Sequence, residues 1–283
     1  MAAQLARTTL WALICALPAI GTTAAAADVT LPEILQQGQL VIGHAAHDTQ
    51  IAYHDRVLRV GDDGIFVFGL DRDAPNSIDL TIRHPDGRVS TLTRQIRQRH
   101  YRIERVNGLP RQTVTPRPKI AARIAREQAR VARARVRDDA REDFLDGFQR
   151  PVAGARITGV YGSQRIDNGV PKSPHYGLDM AVPAGTPVHA PAAGVVSFAD
   201  RHLYLTGGTV LIDHGYGLDS SFLHMSRIDV KTGQHVRQGQ VIGAVGMSGR
   251  ATGPHLHWGF NWFGVRLDPA LLPANIAISS GHP

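Results

Sequence analysis

Two histidines stand one residue apart in Gly253-Pro254-His255-Leu256-His257-Trp258, about eighty positions after His175-Tyr176-Gly177-Leu178-Asp179. If the later segment is a strand, alternation puts His255 and His257 on one face and Leu256 and Trp258 on the other. With His175 and Asp179 supplied by a neighbouring segment, one surface carries enough nitrogen and carboxylate donors for a divalent metal with an open position, as catalytic zinc requires. A histidine four residues before an aspartate is weak evidence alone, since His44 and Asp48 repeat the spacing without support. That spacing also fits a helical face, but Pro174, Gly177 and Pro183 argue against a helix and for a loop running into a strand. His224 lies in Ser220-Ser221-Phe222-Leu223-His224-Met225-Ser226, where alternation puts it on one face with Phe222 and Ser220.

The elements that must position these groups fall into three regions, and the chain is predicted to be mainly β. Residues 28–115 show short β-rich runs, Gln39 to Gly43, Ile51 to Val60, Ile65 to Leu70 and Ile78 to His84, with turn chemistry at Gly61-Asp62-Asp63-Gly64 and Pro85-Asp86-Gly87. This predicts a small β-sandwich with scattered histidines of no catalytic significance. Residues 116–150 form a basic linker: Lys119 to Asp143 lacks Gly and Pro and predicts a helix of roughly 40 Å. Its apolar positions Ile120, Ile124, Val131 and Val136 make only a loose stripe, so the arginines are expected to face solvent on a spacer. Residues 151–283 return to short glycine-punctuated strands, predicting an antiparallel β domain whose glycines allow sharp corners around a groove. Asp213 and His214 read as a structural turn between two of those strands.

Met1 to Ala27 has the charged, apolar and small-residue order of a secretory signal peptide, so export to a periplasm or to the medium is expected, with no transmembrane segment once it is removed. The one cysteine, Cys15, lies in that leader, which excludes disulfides and thiolate zinc sites from the mature chain. Loss of Arg7 leaves 30 basic against 24 acidic side chains, and a cationic exported protein is drawn to anionic surfaces such as a bacterial envelope. Export and the absence of a basic-aromatic recognition motif argue against nucleic acid as the partner.

Four motifs then occur in order: Gly185-Thr186-Pro187-Val188-His189-Ala190-Pro191-Ala192-Ala193-Gly194, Phe222-Leu223-His224-Met225, Val236-Arg237-Gln238-Gly239-Gln240, and Gly246-Met247-Ser248-Gly249-Arg250-Ala251-Thr252-Gly253-Pro254-His255-Leu256-His257. Across about Pro151 to Pro269 the chain resembles the lysostaphin-like (LytM-type) zinc endopeptidases that cut the peptide part of bacterial peptidoglycan. The resemblance implies a metallopeptidase domain of that type, one zinc per chain held by His175, Asp179 and His257, and His224 and His255 as unligated catalytic histidines. One of those two would act as general base and the other would steady the oxyanion. Arg165, followed by Asn168, falls where the family commonly has an arginine, which could fork onto a substrate carboxylate or close a loop salt bridge. No His-Glu-x-x-His sequence occurs, so a glutamate base is unsupported. The rival expectation is a non-catalytic wall-binding activator of another hydrolase, which the complete ligand set disfavours.

Overall fold

The computed structural model describes residues 29–107 and 116–276. The leader and the 115 boundary of the front region lie outside these residues. The front strands are β1 (Val29–Thr30), β2 (Leu35–Gln36), β3 (Leu40–Ala45), β4 (Gln50–Tyr53), β5 (Arg56–Val57), β6 (Ile65–Gly69), β7 (Ser77–Arg83), β8 (Val89–Arg97) and β9 (Ile103–Val106). Alternation is clean in β7, where Ile78, Leu80 and Ile82 are buried and the residues between them are exposed. A three-stranded sheet, β1-β3-β6, and a five-stranded sheet, β2-β8-β7-β4-β5, make up this half. The expected turns are present, with Gly64 and Gly87 in left-handed conformations and Asp63 and Asp86 accepting from backbone N–H groups two residues on. The run Ile51 to Val60 divides into β4 and β5, because His54, at φ 54°, turns the chain between them.

The helix, α1 (Pro118–Arg135), is shorter than the sequence predicts, spanning roughly 27 Å over its 18 residues. Beyond Arg135 the residues include Asp138, Asp139, Glu142 and Asp143, and acidic groups oppose the negative end of a helix dipole. They are used instead in tertiary contacts: Arg137 and Arg141 bind Asp139 and Asp213, Arg141 also binds Asp143, Asp138 pairs with Arg59, and Glu142 accepts from the Tyr216 hydroxyl. The helix buries no residue, as expected of a solvated face, but it is docked on the last half and not free of it. Arg123 donates to the His202 carbonyl, Arg130 pairs with Asp200 at 2.9 Å, and Glu127 accepts from the Tyr204 N–H.

The remaining strands are β10 (Arg156–Gly159), β11 (Gln164–Asp167), β12 (Val170–Pro171), β13 (Leu178–Ala181), β14 (Pro187–His189), β15 (Gly194–Leu203), β16 (Gly207–Gly215), β17 (Leu218–Met225), β18 (Arg227–Ile228), β19 (His235–Val236), β20 (Val241–Ala244), β21 (Leu256–Trp262) and β22 (Val265–Leu267). Their main sheet runs β10-β13-β21-β17-β16-β15-β19, with β22 on β21, and every pairing in it is antiparallel. Asp213 and His214 belong to β16. The turn lies one step later, at Tyr216 and Gly217, which both have positive φ.

The halves are not beads on a spacer. One apolar cluster joins Phe66 and Phe68 of the front half to Phe144 and Phe148 beyond α1 and to Phe260, Trp262 and Leu267 of the last half. Each such side chain, fully buried, contributes about 1.5–3 kcal/mol. Parallel pairing of β9 with β11 adds a backbone seam across the same junction. A second cluster, including Met180, Ile212, Phe222, Leu256 and Trp258, fills the last half alone and lies under the sheet that carries the histidines.

Candidate metal centre and its cleft

Asp179 on β13 and His257 on β21 are direct cross-strand partners, and His175 reaches them from the loop before β13. Leu256 and Trp258 point into the core, so alternation carries His257 to the opposite face. His175 Nε2 lies 3.0 Å from Asp179 Oδ1 and 3.0 Å from His257 Nδ1, and His257 Nδ1 lies 2.9 Å from Asp179 Oδ1. Three donor atoms thus form a nearly equilateral triangle. The other nitrogen of His175, Nδ1, is 3.0 Å from the Val160 carbonyl. A carbonyl only accepts, so Nδ1 carries the proton and Nε2 turns a lone pair toward the triangle. Zinc bonds nitrogen and oxygen at about 2.0–2.2 Å, and His175 Nε2, Asp179 Oδ1 and His257 Nδ1 are the atoms that would hold such an ion.

Two glycines permit this convergence. A Cβ at Gly177 would meet His257 Nε2 and the Trp258 carbonyl, each at 2.6 Å, and a Cβ at Gly159 would run into the Asp179 carboxylate. Burial pushes the Asp179 carboxyl upward, but hydrogen bonds from His175 and His257 and their charges outweigh it and hold the group well below the usual carboxylate range. The centre therefore offers a permanent negative charge to a cation.

His224 and His255 stand side by side, ring centroids 4.8 Å apart. His255 Nε2 is 3.9 Å from Asp179 Oδ1, and its Nδ1 lies 2.8 Å from the Gly253 carbonyl. His224 Nδ1 lies 2.8 Å from the Ser248 carbonyl. Each carbonyl fixes the proton on Nδ1 and leaves Nε2 as the available atom. Burial pushes the His224 imidazole down to about 4, against the Ser248 carbonyl, which opposes the shift.

The structure corrects the face assigned to His224. Phe222 pairs with Trp258 and is buried in the core with it, so strict alternation would bury His224 too. Between the pairs Gly208–Met225 and Val210–Phe222, β17 has one more residue than β16, and His224 takes φ 64°. This bulge turns its side chain to the His257 face. The sequence signal for it is slight, one non-glycine residue forced into left-handed backbone.

Arg165, on β11, has Nη2 3.8 Å from Asp179 Oδ2 and Nε 3.5 Å from Glu104 Oε2 of β9. It joins the centre and also makes the interstrand ion pair that was its bland alternative. Asn168 is not brought to the centre: it occupies the exposed tip of the β11–β12 hairpin at φ 49°. His214 is fully buried between the Ala193 carbonyl and Ser220 Oγ, consistent with a structural role.

A cleft of about 590 Å³ opens beside the metal donors and is lined by His175, His257, Arg165, Arg250 and Arg266, with α1 contributing Gln128, Val131 and Arg135 as the facing wall. The sequence pattern alone did not show that the helix closes one side of this cleft. Among the described residues no helix is long and apolar enough to cross a membrane.

Residues 173–269 match the profile of Peptidase family M23. The chain is 45% identical over 112 residues to peptidoglycan DD-endopeptidase ShyA of Vibrio cholerae serotype O1, covering 39% of this chain and 25% of that protein. It is 46% identical over 84 residues to DD-carboxypeptidase/endopeptidase Mpg of Neisseria meningitidis serogroup B, covering 30% of this chain and 19% of that one. The aligned part therefore spans a quarter or less of these curated relatives. A solved structure attributed to peptidase M23 from Pseudomonas aeruginosa superposes with a TM-score of 0.64 at 31% identity, covering 83% of this chain and 93% of that chain.

Proposed function

Since the chain belongs to peptidase family M23, we propose that it is an exported zinc-dependent endopeptidase hydrolysing peptide bonds in peptidoglycan stem peptides or cross-links. The observation that carries this reading is the convergence of His175 Nε2, Asp179 Oδ1 and His257 Nδ1 at 2.9–3.0 Å, beside two imidazoles that each present Nε2. The substrate class follows the relative named as a peptidoglycan DD-endopeptidase, and the bond class is shared with the one named as a DD-carboxypeptidase/endopeptidase. His175, Asp179 and His257 would hold one zinc, which when bound would supply a nucleophile at neutral pH and a Lewis acid for the scissile carbonyl.

The protein's own groups do the rest. His224 and His255, with Nδ1 tied to carbonyls, cannot swing away, so Nε2 of each stays aimed at the reacting atoms. One takes the proton of the nucleophile and delivers it to the leaving amine. The other faces the developing oxyanion and, by taking up a proton from solvent at Nε2, would donate to it, a role commonly contributing a few kcal/mol of barrier lowering. Arg165 stands behind Asp179 at 3.8 Å, where it restrains the free carboxylate oxygen and lines the approach to the scissile bond.

His257→Ala should lose zinc, whereas His224→Ala should keep it and lose turnover of purified wall. Undiminished wall cleavage by either variant would overturn the assignment.

A further inference from the structure

The face of the sheet that carries His257 continues along the two strands beneath the cleft. Leu223 pairs with His257, Ser221 with Gly259 and Asp219 with Asn261, so these three pairs occupy successive positions on one face. From His257 to Asn261 is four residues, roughly 13 Å of strand. At that far end, two cations face one anion. Arg135 Nε of α1 stands 3.4 Å from Asp219 Oδ1 without making a hydrogen bond, and Arg266 of β22 donates to Asn261 Oδ1, whose own amide donates to Asp219 Oδ1.

Asp219 lies beneath the floor at 3% exposure, whereas Arg135 and Arg266 are both among the residues that line the cleft. Burial pulls Arg266 down to about 10, and Arg135 adds repulsion to that effect. A pair of guanidiniums sharing one buried carboxylate leaves one positive charge uncompensated at the end of a cavity. The planar donors of arginine suit a carboxylate there.

We propose that Arg135 and Arg266 form a carboxylate-binding subsite about four extended residues from the metal donors, which selects peptides carrying a free carboxylate at that spacing. The orientation of the peptide rests on the peptidase reading, but the site itself does not. Its consequence is that α1, which lies outside the matched residues 173–269, supplies part of the substrate-binding wall.

The test is calorimetric binding to the chelated full-length protein, so that nothing is cleaved. The probes are a stem peptide with free carboxylates and the same peptide with them amidated. Wild type should bind the free acid about tenfold or more tightly, as expected for a charged hydrogen-bond pair. Arg135→Gln should reduce this preference to within about twofold, and Arg135→Lys should retain part of it. Equal binding of the two peptides by wild type overturns the proposal without any variant having to fold. So does a preference that survives Arg135→Gln and disappears in Arg165→Gln. Failure of the zinc-loaded wild type to cleave wall would count against the peptidase reading and leave this result standing.

Discussion

Gly177→Ala places one methyl group where the structure has least room for it. The new Cβ would stand 2.6 Å from His257 Nε2 and 2.6 Å from the Trp258 carbonyl, where ordinary contact begins near 3.4 Å. Something must therefore move by about 0.8 Å. The Trp258 carbonyl belongs to β21, whose register with β13 is set by the pairs Leu178–Trp258 and Asp179–His257, so the backbone there yields little. Either His257 is pushed out or the loop carrying His175 retreats, and both open a triangle whose sides are 2.9–3.0 Å. Metal sites tolerate changes of about 0.2 Å. Overpacking of this kind costs about 1–3 kcal/mol, so zinc affinity should fall by roughly 5- to 150-fold if the strain is felt mainly in the metal-bound state. Competition for zinc against a chromogenic chelator measures it, with Gly264→Ala, whose Cβ meets nothing within 4 Å, as the control. Zinc affinity within twofold of wild type, together with normal wall cleavage, would refute the reasoning.

Chelation should lower the melting temperature by on the order of 10 °C, since an ion present at about 1,000 times its dissociation constant stabilises the fold by about 4 kcal/mol; a scan with and without zinc checks this. His224→Ala should leave that zinc-dependent shift intact while cutting turnover by roughly 10²- to 10⁴-fold, read as new amino groups released from wall. His214, pushed down to about 4 by burial, makes the chain lose stability in acid. Between pH 6.5 and about 4 the unfolded chain binds the extra proton, so stability is complete above this window and is lost as pH falls through it, by at most about 3 kcal/mol. Denaturant titrations at several pH values should show that slope, and His214→Gln should flatten it. Phe68→Ala should cost about 3–5 kcal/mol and lower one joint unfolding transition, because its cluster includes Phe260 and Trp262; separate melting of the halves would contradict a shared core.

The part of the site that was legible in the sequence is the part governed by local periodicity. His255-Leu256-His257-Trp258 obeys alternation, with Leu256 and Trp258 in the core, and the prolines and glycines around His175 and Asp179 do mark a loop entering a strand. His224 was misplaced because a single bulge reverses the face, and nothing in Phe222-Leu223-His224-Met225 announces where the extra residue falls. The helix was mis-sized and mis-docked for a related reason. Helix propensity continues through Asp143, but the fate of Arg137 and Arg141 is decided by Asp213, more than seventy residues away. Asn168 was drawn toward the site by nearness in sequence to Arg165, yet it falls at the exposed turn between β11 and β12, outside the residues that line the cleft.

These long-range contacts also bear on whether the front half shields the groove of a potentially harmful hydrolase. Cutting the chain before Pro151 would strip Phe66, Phe68, Phe144 and Phe148 from Phe260 and Trp262, expose a core face, and remove Arg135 from the cleft in the same step. A change in activity after such a cut would mix instability, lost substrate contacts and unshielding. The informative perturbation is local. Glu127→Ala breaks the contact from α1 to Tyr204 N and the intrahelical pair with Arg123, which itself reaches the His202 carbonyl, without touching the aromatic core or a metal donor. If α1 only obstructs the cleft, loosening it should raise turnover of wall; if it serves as a binding wall, KM for wall fragments should rise severalfold with little change in kcat. None of the α1 contacts described above reaches His175, Asp179, His224, His255 or His257, and the cleft beside it remains about 590 Å³. That volume lies within the range of ligand-holding pockets, so the second outcome is the one expected.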